Sequence, residues 1–174
     1  WQNLLSNNKF NGCSRDHTAE IRLRNISIPT LLSYVDAHRR LGNAFFSEGA
    51  YAKAIERYRL SIMYLEYGVP QNISDELALH RSSILSYLGL TRCHLHISSI
   101  SGAKNAIENA LDLCDEVKEK FSTTKTKDME IAHVEHNPFF DYSKIKLLYL
   151  RATFYLYHSQ DFLKAKADID NGLV

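Results

Sequence analysis

The sequence predicts an all-α protein built from antiparallel helix hairpins, and three observations carry that expectation. Apolar residues recur at three- and four-residue steps over several stretches, the spacing that gathers them on one helix face. Only three prolines and seven glycines occur among 174 residues, fewer than strands joined by tight turns normally need. The ten tyrosines and eight phenylalanines suit stacked helix pairs, which use rings to fill the space between them.

Residues 1–30 are polar and weakly periodic, with an Asn/Ser cluster at 6–14 that reads as loop. They are expected to form a partly irregular N-terminal extension to a domain over 31–174. Pro29 and Thr30 open a better pattern, with proline at or near a helix start. Val35, His38, Leu41, Gly42 and Phe45 form one stripe. Ser47-Glu48-Gly49-Ala50 reads as a short turn with Gly49 in the left-handed cap position. Tyr51, Ala54, Ile55, Tyr58, Ile62 and Leu65 form the next stripe. So short a link makes the two helices antiparallel neighbours.

Residues 68–72 break the pattern. Ser74 is the expected N-cap of a long helix over 75–97, with Glu76 in its first turn. Residues 98–102 read as a turn, followed by a helix from Ala103 to about Phe121. Residues 122–142 are mixed, with Pro138 as a breaker, and read as an inserted loop or a helix extension followed by a loop. Tyr142 to His158 is helical in pattern, Gln160-Asp161 turns, and 162–173 begins another helix.

Charge and composition narrow the function. The net charge of +1 argues against a surface built to neutralise nucleic-acid phosphates. No apolar run of about 18 residues occurs, so no membrane span is expected, and no signal peptide opens the chain. Cys13, Cys93 and Cys114 are odd in number and widely spaced, which fits free thiols in a reducing, cytoplasmic compartment. The chain starts at Trp1 and stops at Val174 within a helical pattern, as a piece of a longer protein would.

The internal repeat carries the most information. The segment Leu41-Gly42-Asn43-Ala44-Phe45-Phe46-Ser47-Glu48-Gly49-Ala50-Tyr51-Ala52-Lys53-Ala54-Ile55-Glu56-Arg57-Tyr58 closely resembles the first repeat of many tetratricopeptide-repeat (TPR) proteins. A second copy runs from Leu90 to Leu95 with Ala103, Ile107 and Ala110 on its partner helix. A third runs from Leu148 to Tyr155 with Phe162, Ala165 and Ile169, and its turn is one residue longer. The resemblance implies three helix-hairpin repeats, at about 35–67, 84–117 and 145–174, stacked as a right-handed TPR superhelix with irregular extensions.

Within TPR proteins the chain resembles the subgroup of co-chaperones and larger FKBP-like immunophilins. That resemblance implies a groove that grips the acidic EEVD-type C-terminal tail of a heat-shock chaperone through a carboxylate clamp. Residue by residue, Arg39 and Asn43 match the clamp's first pair, and their four-residue spacing puts both on one helix face. Lys146 matches the lysine of the fifth helix. Gly89 stands where the pattern has Asn, and Leu150 where it has Arg. In the repeat phase Arg92 and His96 fall on groove positions and are candidate replacement donors, and Arg151 is near in sequence. Phe46, Leu88, Leu95, Tyr149, Thr153 and Tyr157 also fall on the groove. The bland alternative for Arg39 and Lys146 is a solvated helix face, and for Asn43 an ordinary first-repeat residue.

The chemistry suits such a ligand. Carboxylates only accept, and Arg, Lys and Asn donate into them. Two missing donors are expected to weaken a clamp by roughly ten- to several-hundredfold, at about 1.5–3 kcal/mol per charged contact. The candidate peptide-binding residues are therefore Arg39, Asn43, Phe46, Arg92, His96, Lys146 and Tyr149.

No catalytic residue, metal ligand or cofactor is expected. His133 and His136 are three apart rather than four, unlike a helical zinc motif. Cys93 and His94 are adjacent and point about 100° apart on a helix. No Gly-rich phosphate loop or GxSxG elbow occurs. Any prolyl isomerase activity of an immunophilin-like protein would sit in another domain. A second class of function stays open: a scaffold domain that docks a folded partner or a segment of its own chain. Pro138-Phe139-Phe140-Asp141 would then either face that partner or tuck against its own helices.

Overall fold

The computed structural model describes residues 26–123 and 138–172, without the side chains of 121–123 and 158–159. The described residues form six α-helices and one π-helical turn, with no strand among them. The helices are α1 (Ile28–Ser47), α2 (Tyr51–Leu65), α3 (Ile73–His96), α4 (Ile100–Thr123), α5 (Pro138–Phe154) and α6 (Phe162–Gly172). The π-helical turn spans Tyr155–Ser159, between α5 and α6. Each helix packs on the next in sequence, and α1 also touches α3, as α3 touches α5. The first members of the three pairs therefore stand side by side.

Local chemistry sets the helix ends, and some differ from expectation. Pro29 occupies the first turn of α1, where its missing N–H costs nothing. Gly49 takes a left-handed φ of +74° and closes α1, with Ala50 N–H bonding Phe45 O at 2.8 Å. α3 begins at Ile73, two residues before the expected start. Asn72, not Ser74, is its N-cap, because the Asn72 Oδ1 accepts from the Asp75 N–H at 2.8 Å. α4 begins at Ile100, so Gly102 is not a turn residue. It is small because the His94 ring lies on it: a Cβ there would be 2.4 Å from His94 Nδ1. Left-handed Ser98 (φ 53°) makes the turn instead.

The stretch 122–142, expected to be an inserted loop or a helix extension followed by a loop, is helical at both of its described ends. Residues 124–137 lie outside the described residues, and α5 already starts at Pro138. Proline at a first helical position starts a helix rather than breaking one. Phe140 is buried with Leu147 and Leu148 against Ile84, Ile107 and Leu111, and Arg81 lies over the Phe139 ring at 4.6 Å. The Phe pair thus tucks against its own helices. At the longer third turn α5 runs into a π-helical stretch, a rare wider turn of helix, and Gln160 at φ 53° ends it.

The core is a run of small and large residues fitted together. Ala54, Ile55, Tyr58, Leu90, Cys93 and Ala106 bury one cluster between α2, α3 and α4. Burying a large apolar side chain contributes about 1.5–3 kcal/mol. Tyr58 is the keystone of this cluster. A Cβ on Gly42 would lie 2.9 Å from its ring, and a Cβ on Gly89 would lie 2.4 Å from it. Two buried hydroxyls, Ser61 and Ser86, satisfy one another at 2.6 Å between α2 and α3.

Candidate peptide-binding site

α1 presents Arg39 and Asn43 one turn apart. Arg39 is ion-paired with Asp36, and the same carboxylate accepts Arg40 Nε at 2.6 Å. Asn43 Oδ1 accepts the Tyr58 hydroxyl at 2.6 Å. Burial above all, with Cys93 next, pushes the Tyr58 phenol up to about 12, while Arg92 and Arg39 oppose it. The hydroxyl therefore stays protonated and keeps donating near neutral pH, which leaves the Asn43 NH2 as the outward donor.

One turn further, Phe46 gathers the α3 residues. The Arg92 guanidinium lies 4.3 Å from the Phe46 ring centroid, a cation–π distance. The His96 ring stacks on Tyr51 at 4.8 Å and 10°, and meets Phe46 edge-on at 5.2 Å. Arg92 and His96 are both exposed. Three expected site residues, Phe46, Arg92 and His96, thus come together at the junction of α1, α2 and α3.

The other two stand on α5. Lys146 Nζ is 6.0 Å from the Tyr142 ring centroid, and Tyr149 is 65% exposed. These contacts do not extend to the cluster on α1 and α3. The positions that depart from the clamp pattern have structural occupations. Gly89 is buried beneath Tyr58. Leu150 packs against the α3–α4–α5 core. Arg151 is no substitute donor, because it grips the buried Asp168 with two bonds, at 2.8 and 2.6 Å. The hydrogen bond that Arg151 donates to Asp168 raises the Arg151 pKa further.

Three contributors were not singled out in the sequence. Asp36 had a signal, its three- and four-residue spacing from two arginines. Tyr58 read as core alone, and nothing marked Tyr51 as a partner for His96 across the turn. Cys93 is fully buried and its thiol is pushed up to about 11 by burial. His94 is buried too and its pKa is lowered, by burial first and Arg59 second. Burial thus keeps the Cys93 thiol protonated at neutral pH. No group of three or more His, Cys, Asp or Glu among the described residues is placed to hold a metal ion; His133 and His136 lie outside them. A cleft of about 840 Å³ between α4, α5 and α6 mixes Asp112, Asp115 and Asp141 with Lys118 and Lys144. Lys144 is ion-paired with Asp115. No helix among the described residues is long and apolar enough to cross a membrane.

The chain is similar in part to peptidyl-prolyl cis-trans isomerase FKBP4. It is 32% identical to the Mus musculus protein and 29% identical to the Homo sapiens protein, each over 72 residues. The match covers 41% of this chain and 16% of each relative. The isomerase activity in that name belongs to those proteins. No protein-family model matches the chain. No solved structure matches it either.

Proposed function

We propose that this chain is a non-catalytic protein-interaction module of the TPR type, whose groove takes the acidic C-terminal tail of a heat-shock chaperone through a partial carboxylate clamp. The observation that carries this reading is the junction of α1 and α3. There Arg39 and Asn43 share a helix face, and Phe46 and Tyr51 hold Arg92 and His96 beside them. Side chains held by rings lose less freedom on binding, so each contact they make to a carboxylate is worth more. Arg92 and His96 take over as donors for the positions held by Gly89 and Leu150. Lys146, with Tyr142 and Tyr149, extends the site along α5. The helix-pair arrangement and the similarity to FKBP4 isomerases support a co-chaperone, immunophilin-like role in the cytoplasm. Catalysis, where the full-length protein has it, lies outside this chain.

A scaffold reading is favoured by a different feature. α6 leaves Phe162 67% and Leu163 84% exposed, an apolar face suited to a folded partner. Salt separates the two. Clamp binding of an EEVD peptide, measured by calorimetry, is expected to weaken clearly between about 50 and about 500 mM salt, a range that spans physiological ionic strength. Binding that ignores salt and survives Arg39→Ala contradicts the clamp.

A further inference from the structure

We propose that Tyr58 is a positioning residue for the groove: its hydroxyl holds the Asn43 side-chain carbonyl inward, so that the amide nitrogen is presented to the ligand, and Gly89 is what makes room for it. This rests on the clamp reading given above. It also changes what the missing asparagine at position 89 means.

Tyr58 belongs to α2 and is 1% exposed. Its ring lies against Gly42 of α1 and Gly89 of α3, and its hydroxyl reaches Asn43 Oδ1 at 2.6 Å. A primary amide has an acceptor side and a donor side. A carboxylate ligand only accepts, so it needs the NH2 side. An unanchored Asn43 would sample both orientations and would present its oxygen, repelling the ligand, part of the time. The buried donor removes that choice before the ligand arrives, which is preorganisation.

Gly89 is explained by the same geometry. A Cβ there would lie 2.4 Å from both Cε1 and Cζ of Tyr58, closer than packed carbon atoms allow. Gly42 of α1 is fitted to the same ring, since a Cβ built there would come within 2.9 Å of Cε1. An asparagine at 89 would add one donor and displace the hydroxyl that orients another. In this chain a glycine at 89 therefore serves the Asn43 donor rather than merely lacking one of its own.

The test uses the chain with Tyr58→Phe, Asn43→Ala, the double variant and Gly89→Asn. Calorimetry compares a peptide ending in EEVD as the free acid with its C-terminal amide. Tyr58→Phe keeps the ring, and thermal unfolding checks that it keeps the fold. The expected result is a loss of about fivefold to tenfold for the free acid, the size of one hydrogen bond, and no change for the amide. Added to Asn43→Ala, Tyr58→Phe should cost nothing more. Gly89→Asn should weaken free-acid binding rather than restore it. Equal losses for both peptides, full additivity with Asn43→Ala, or tighter binding by Gly89→Asn would each overturn the proposal. Should the wild type not tell the two peptides apart, the clamp reading itself fails. The side-chain NH2 signals of Asn43 by NMR then decide separately: unchanged signals in Tyr58→Phe overturn the positioning role, and shifted signals support it.

Discussion

The two ends of the candidate groove use similar residues in opposite ways. On α1 and α3 the polar groups point outward and are steadied by rings: Arg92 by Phe46, His96 by Tyr51 and Asn43 by Tyr58. On α5 the arginine is committed inward. Arg151 grips Asp168 of α6, and Leu150, one residue earlier, joins the core. One residue on a helix is a rotation of about 100°. That step decides whether a guanidinium meets a ligand or a neighbouring helix. The third pair has given its arginine to holding α6 in place, whereas Arg92 and His96 of α3 stay exposed beside Phe46 and Tyr51.

The sharpest way to break this contrast is Asp168→Ala. It leaves Arg151 partly buried without its carboxylate, and a loss of about 2–4 kcal/mol is expected from denaturant unfolding. Unchanged stability would mean that Arg151 is not committed to the fold. At the other end, Arg39→Ala should weaken free-acid peptide binding by roughly ten- to a hundredfold. Its effect on stability should stay within about 0.5 kcal/mol, because the pair with Asp36 is local and near the surface. Gly89→Ala should cost about 1–3 kcal/mol by overpacking against Tyr58, read as a lowered Tm. A neutral outcome would show that the ring has room to move.

The smallest effect is a pH dependence of stability. Burial, with Arg57 second for His38 and Arg59 second for His94, lowers both pKa values in the fold. The unfolded chain binds these protons near pH 6.5, while the folded chain resists them. Stability is therefore full above about pH 6.5 and declines as pH falls through the lowered folded values. Tm is expected to drop modestly between pH 7.5 and 5, and the drop should shrink in His94→Gln. A flat profile would place both imidazoles in water.

The fold was largely legible because its signals are local. Stripes such as Tyr51, Ala54, Ile55 and Tyr58 need only helical periodicity, and Gly49 needs only a turn that demands positive φ. Gly102 was misassigned to a turn because a glycine that opens a turn and one that seats a ring look alike in sequence. Pro138 likewise reads as a breaker or as a first helical residue, according to whether the residues after it can continue a helix. The site was legible in part. Arg39 and Asn43 share a face by spacing alone. That Asn43 is held by Tyr58, 15 residues on, and that Gly89 is shaped by the same ring, are consequences of tertiary packing that no spacing rule contains.

The most direct measurement is calorimetric titration of the chain with a peptide ending in EEVD, as the free acid and as the C-terminal amide, at low and physiological salt. The account predicts micromolar, salt-sensitive binding of the free acid and little or none of the amide. Equal binding of the two peptides, or binding of neither, would contradict it and return the chain to the scaffold reading.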